Sequence, residues 1–270
     1  MIDFPNSKIN IGLHILRKRT DGFHEIESLF YPVPLKDVLE IIPAKDGNFD
    51  FRASGMPIPG NPSENICVKA YELVKAKYGI PPVKMHLHKA VPMQAGLGGG
   101  SADGAFSLKL LDALFKLKPG NAKLKELAQQ LGSDCPFFIE NRPAIARGRG
   151  ELLKTLDFDL SGYYLVLVKP DLNISTAEAY AMVRPDPGRP SLEKVIDIPV
   201  ASWKDHVQND FEKSLFSKYP ELAHIKKKLY ANGAIYASMS GSGSTVYGLF
   251  EEQPDMENQF GECFFKRLRL

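Results

Sequence analysis

Between Pro92 and Gly104 the chain reads Pro-Met-Gln-Ala-Gly-Leu-Gly-Gly-Gly-Ser-Ala-Asp-Gly, with four glycines in five positions (Gly96, Gly98, Gly99, Gly100). Bare backbone of this density permits close approach and left-handed conformations that other residues resist. The segment before it, Val83 to Lys89, alternates apolar and polar with Val83, Met85 and Leu87 on one face, which predicts a strand. The segment after it, Ser101 to Leu117, places Ala105, Leu108, Leu111, Ala113 and Leu114 at helical spacing, with Ser101 as the expected N-cap. Strand, glycine loop and helix together aim free N–H groups and the positive end of a helix dipole at an anion.

Two familiar phosphate loops do not fit. A Walker A loop needs Gly-Lys-Ser/Thr, and the chain contains no Gly-Lys pair. The dinucleotide fingerprint Gly-x-Gly-x-x-Gly fails because Ser101 stands where its third glycine belongs. That counts against a cofactor-dependent oxidoreductase. The His-Arg-Asp and Asp-Phe-Gly pair of protein kinases is absent as well.

With 270 residues, 44% of them hydrophobic and 24% charged, the chain has the composition of a globular protein of one large or two medium domains. A net charge of +2 gives no support for nucleic-acid binding. Basic runs at Arg17-Lys18-Arg19, Lys226-Lys227-Lys228 and 266–269 are expected to be solvated faces. Three dispersed cysteines, Cys67, Cys135 and Cys263, argue against a disulfide framework. With neither a signal-peptide pattern nor a membrane-length apolar run, the expectation is a cytoplasmic protein without a membrane partner.

Strands are expected over Phe4 to Leu16, Ile26 to Val33, Asp37 to Ile42 and Phe49 to Arg52. A helix is expected from Pro62 or Ser63 to Tyr78, stopped by Gly79, and another over Asn121 to Leu131. Beyond a glycine- and charge-rich stretch from Arg147 to Ser161, the pattern gives a strand over Tyr163 to Lys169. Helices follow near Asp210 to Ser217 and Glu221 to Ala231, then strands over Ala234 to Met239 and Thr245 to Phe250. Early hairpins without βαβ alternation favour an α+β fold. A division into residues 1–152 and 153–270 is expected.

The glycine segment, Pro92-Met-x-x-Gly96-Leu-Gly98-Gly-Gly-Ser101, resembles the central phosphate motif of the GHMP kinases, which phosphorylate small alcohols. Ser7-Lys8-Ile9-Asn10 resembles their first motif and Ser240-Gly241-Ser242-Gly243-Ser244 their third. Asp21-Gly22-Phe23-His24 and Leu131-Gly132-Ser133-Asp134-Cys135-Pro136-Phe137 resemble the members whose acceptor is a cytidine diphosphate-linked methylerythritol.

The resemblance implies a two-domain GHMP kinase fold, with a ribosomal-protein-S5-like N-terminal domain and a ferredoxin-like C-terminal domain. It implies ATP and Mg2+, a small-molecule acceptor, and a monomer or weak homodimer. Asp134 is implied as the base for the acceptor hydroxyl, with Lys8 holding it ionised; the alternative is a structural ion pair. Pro92, Met93, Gln94, Ala95, Gly96, Leu97, Gly98, Gly99, Gly100, Ser101 and Ala102 are implied around ATP. Gln94 and Ala102 depart from the usual small residue and serine.

Asn65 and Lys89 are implied beside the adenine, against plainer readings as a helix-turn residue and a solvated strand lysine. Asn10, Phe23, His24, Thr176, Tyr180, Gly241 and Ser242 are implied around the substrate, His24 at the base edge and the aromatics on its faces. No metal ligands are assigned, and His86 and His88 are expected to face solvent. Asn209-Asp210 is as well explained as a helix cap as by catalysis. A homoserine or sugar kinase, or a nucleotide-binding regulator without catalysis, are the rival readings.

Overall fold

Alternating segments become strands in the computed structural model, which describes residues 1–270 except the side chain of Glu257. Two compact units form, each assembled from separate stretches of chain.

The first unit collects Met1–Ser7, Leu35–Met93 and Gly98–Arg142. Its sheet orders Ile2–Asp3, Val38–Pro43, Val83–Lys89 and Asp50–Gly55, antiparallel except for the last pair. Val83, Met85 and Leu87 are buried with Leu39 and Ile41, whereas His86 and His88 face outward. Both histidines lie within hydrogen-bonding distance of Ser54 Oγ, at 2.9 and 3.0 Å.

Helices Ile66–Tyr78, Gly99–Phe115 and Gly120–Leu131 belong to the same unit. The first starts where Asn65 Oδ1 accepts the Cys67 N–H at 2.9 Å, satisfying one of the unpaired donors of a helix start. It ends at Gly79, whose left-handed φ of +64° lets its N–H reach the Lys75 carbonyl. Gly104 brings the helices Ile66–Tyr78 and Gly99–Phe115 close together, since a Cβ there would lie 2.8 Å from Ile66.

The second unit collects Lys8–Pro34, Gln94–Leu97 and Pro143–Leu270. One of its sheets orders Asn6–Lys18, His24–Lys36, Ala144–Gly148 and Leu152–Thr155. The other orders Tyr236–Met239, Val246–Phe250, Tyr164–Lys169 and Phe264–Arg269, all antiparallel. Counted along the chain, that order is second, third, first, fourth, the ferredoxin-like arrangement. Val166, Val168, Phe211, Leu215, Ile225 and Leu229 form its core with the helices Phe211–Lys218 and Pro220–Ala231.

Two expectations are corrected. Ser101 is not the N-cap: the helix begins at Gly99 behind Gly98, and Ser101 falls inside its first turn. The stretch from Arg147 to Ser161 contains a hairpin between Ala144–Gly148 and Leu152–Thr155, turned by Gly148 and Gly150 at φ +69° and +112°. Its glycines serve a tight turn, which composition alone does not distinguish from a flexible connection. Residues 266–269, expected as a solvated basic run, lie in the edge strand Phe264–Arg269, where Lys266 and Arg269 are exposed and Arg267 is half-buried.

Candidate active site

The glycine loop takes its shape from left-handed residues: Gln94, Gly96 and Gly98 have φ of +50°, +72° and +67°. Gln94 has a Cβ and holds this conformation at a cost of roughly 1 kcal/mol relative to glycine. The helix that follows has no side-chain cap, so its first N–H groups are left for another acceptor. Each glycine has its own reason. A Cβ on Gly99 would lie 2.8 Å from Val91 Cγ1, and one on Gly96 would fall 1.9 Å from the Ser240 carbonyl oxygen. At Gly100 a Cβ would meet no atom within 4 Å. Packing does not require glycine there, so its bareness leaves room above the uncapped helix start.

Within the second unit three sequence motifs are laced together. The Lys8 N–H donates to the Leu97 carbonyl at 2.8 Å, and the Asn10 N–H donates to Ser240 Oγ at 3.1 Å. Ser240 Oγ–H in turn donates to the Gly96 carbonyl at 2.8 Å. Lys8 is buried, its ammonium donating to Asn10 Oδ1 and lying 4.2 Å from the centre of the Phe30 ring. Asn10 Nδ2 donates to Ser28 Oγ at 2.8 Å. Gly241 is left-handed at φ +56°, beside Asn10, and Ser242 follows it half-buried. Asn209 supports this loop by donating to the Met239 and Gly241 carbonyls, both at 2.8 Å, while its Oδ1 accepts the Phe211 N–H.

His24 and Tyr180 stack on each other, ring centres 4.7 Å apart and planes 17° from parallel. Partial burial, with the nearby Lys18 charge, pushes the His24 imidazole below its ordinary value and keeps it neutral at pH 7. Phe23 is exposed, with the Arg149 guanidinium 4.4 Å over its ring. Thr176 opens the short helix Thr176–Met182, capped by Ser175. Arg149 carried no signal in the sequence beyond its charge.

In the first unit Asn65 is the helix cap described above. Asp134 is half-buried in the turn before helix Phe137–Glu140, its carbonyl accepting the Phe137 N–H. Next to it, burial pushes the Cys135 thiol up to about 12, within hydrogen-bonding reach of Ser101. Lys8 belongs to the second unit and Asp134 to the first.

Lys89 is not the solvated strand lysine of the plainer reading. It is 1% exposed, and its ammonium donates to Asp37 and, at 2.6 Å, to Asp103. Burial alone would lower its pKa, but the two carboxylates outweigh that and raise it. Asp37 had no signal in the sequence. Asp103, one turn into the helix, points into this cluster.

The first unit thus offers a polyanion the backbone N–H groups of an uncapped helix start and carries a half-buried carboxylate. The second, taken by itself, carries a buried ammonium and an aromatic stack. Comparison with known proteins narrows the choice. Residues 65–142 match the GHMP kinases N terminal domain and residues 200–264 the GHMP kinases C terminal domain. The chain is 49% identical over 274 residues to the 4-diphosphocytidyl-2-C-methyl-D-erythritol kinase of Bacteroides fragilis, covering 100% of both. It is 48% identical to the Parabacteroides distasonis protein of that name, covering 98% of this chain and 97% of the other. A crystal structure of 4-(cytidine 5'-diphospho)-2C-methyl-D-erythritol kinase superposes with a TM-score of 0.83 at 32% identity over 100% of each chain.

Proposed function

The chain belongs to the GHMP kinases, in the group of 4-diphosphocytidyl-2-C-methyl-D-erythritol kinases, and from that membership we propose its reaction. It transfers the γ-phosphoryl of ATP to the 2-hydroxyl of 4-diphosphocytidyl-2-C-methyl-D-erythritol, a step of non-mevalonate isoprenoid synthesis. The observation that carries the donor side is the uncapped helix start at Gly99, with open space over Gly100. The acceptor side rests on full-length similarity to kinases of that name and on the His24–Tyr180 stack.

In this reading the N–H groups of Gly99, Gly100 and Ser101 take the ATP phosphates, and Pro92 to Leu97 with Ala102 complete the loop around them. Mg2+ neutralises phosphate charge when bound. Among the described residues no three His, Cys, Asp or Glu side chains are grouped for a metal. The Ser101 hydroxyl, in the first helical turn, is assigned to the phosphates themselves. Asp134 accepts the proton of the acceptor hydroxyl, and the Lys8 ammonium, held by Asn10, favours the developing alkoxide. Neutral His24 can donate and accept along a cytosine edge, with Tyr180 and Phe23 as flat surfaces. Thr176, Gly241 and Ser242 are assigned to the rest of the substrate and Asn65 to the adenine side.

Residues 1–152 would then carry the nucleotide loop and both reacting groups, and 153–270 would add Tyr180 and the Ser240–Ser244 loop. Three free cysteines agree with a reducing cytoplasm. No described helix is long and apolar enough to cross a membrane. We assign a monomer or weak homodimer with no nucleic-acid partner.

The test is Asp134→Ala. Turnover is expected to fall roughly 10²–10⁴-fold, as for loss of a general base, with ATP affinity measured by direct titration kept. Near-normal turnover would remove Asp134 from the mechanism.

A further inference from the structure

Under the start of helix Gly99–Phe115 lies a cluster of three charged residues that the proposed reaction does not use. Asp37, Lys89 and Asp103 are all 2% exposed or less. They come from three places: the residue before strand Val38–Pro43, the end of strand Val83–Lys89, and the first turns of the helix. Lys89 donates to both carboxyl groups. Asp37 Oδ1 also accepts the Ala90 and Val91 N–H groups at 2.6 and 2.8 Å. One cluster therefore ties the helix start to the strand and to the chain entering the glycine loop. Gly99 closes over it, since a Cβ there would stand 3.2 Å from Lys89 Nζ.

The two carboxyl groups are served unequally. Asp37 accepts from one ammonium and two backbone N–H groups. Asp103 accepts from the ammonium through Oδ2, and its buried Oδ1 has no partner. A buried carboxylate oxygen without a donor is costly, and two carboxylates against one cation leave an uncompensated charge. A proton on Asp103 removes both problems, because the new O–H can donate to the Asp37 carboxylate within its reach.

We propose that Asp103 is protonated and that the neutral Asp37–Lys89–Asp103 cluster positions the phosphate-binding start of helix Gly99–Phe115. This rests on the reading that ATP binds there. The proton comes from solvent and stays on Asp103, so Lys89 acts on the nucleotide through the loop it holds. Burial pushes the Asp103 carboxyl up to about 8, against the pull of Lys89 and with Asp37 adding to the rise. From helix Ile66–Tyr78 the cluster is faced by the Cys67 thiol, which burial also pushes up and keeps protonated. Ionising Asp103 places a negative charge beneath bound phosphates, so ATP affinity should fall as pH rises through the titration.

The experiment compares wild type, Asp103→Asn and Asp103→Ala between pH 7 and 9, reading KM for ATP and kcat. Wild-type KM for ATP is expected to rise at least threefold over this interval. Asp103→Asn, which mimics the protonated carboxyl, should match wild type at pH 7 and lose the rise. Asp103→Ala, which frees the helix start from Lys89, should raise KM about tenfold with kcat changed far less. An unchanged pH response in Asp103→Asn, or an Asn variant as impaired as Ala at pH 7, would overturn the proposal. A nucleotide-free readout covers variants that fail to fold: carbon NMR of aspartate-labelled wild type should show one carboxyl titrating near pH 8. If every aspartate titrates near its ordinary value of about 4, the proton is not there. Failure of wild type to bind ATP at any pH would instead defeat the functional reading and leave the NMR result standing.

Discussion

A carboxyl group that keeps its proton on folding makes stability depend on pH in an unusual direction. For Asp103 the folded value is near 8 and the unfolded value about 3.9. Between these values the unfolded chain has released the proton and the folded chain still holds it. The unfolded state therefore binds fewer protons, and this residue's contribution is full below about pH 4 and lost as pH rises toward 8. Asp103→Asn removes that dependence. It is expected to be more stable than wild type at pH 7 by roughly 1–3 kcal/mol and equal or weaker near pH 4. Urea unfolding at pH 4, 5.5, 7 and 8 measures this; parallel curves for the two proteins would contradict it. Part of the cluster was readable beforehand. Val83, Met85 and Leu87 share one face of their strand, and the same two-residue period carries Lys89 onto that buried face. Its partners were not readable: Asp37 lies 52 residues away in the chain, and no local pattern pairs them.

Elements with a strong period were legible. Val83–Lys89 has its expected bounds, and helix Ile66–Tyr78 stops at Gly79 as its glycine predicts. The hairpin after Ala144 was hidden because glycine marks tight turns and connections alike. Ser101 misled because serine is a common cap, whereas here left-handed Gly98 starts the helix and leaves the donors bare. The glycine loop is also an element with a partner, seated against the loop that begins at Ser240. Gly96→Ala tests that seating. Its Cβ would fall 1.9 Å from the Ser240 carbonyl oxygen on a residue at φ +72°. We expect destabilisation of roughly 2–4 kcal/mol from overpacking and the left-handed backbone, with KM for ATP raised as the loop shifts. Thermal unfolding together with ATP kinetics would show it, and a variant unchanged in both would mean that the loop is not held there.

On the scale of the whole chain, sequence order and spatial grouping part company. Strand Asn6–Lys18 begins in one unit and continues in the other, and the glycine loop divides between Leu97 and Gly98. Such groupings arise from contacts between distant residues, so a reading along the chain finds the motifs but not their assembly. The motifs were enough for the family because Lys8, the glycine loop, Asp134 and the Ser240 loop recur in order along the chain. They say less about the acceptor, which depends on a few side chains around His24 and Tyr180. The direct measurement is ADP release by the purified protein with ATP and Mg2+, offered 4-diphosphocytidyl-2-C-methyl-D-erythritol or homoserine as acceptor. The account predicts turnover with the cytidine compound and at least 10³-fold lower kcat/KM with homoserine, about 4 kcal/mol of discrimination. Equal or better turnover of homoserine, or no ADP release with the cytidine compound, would contradict it.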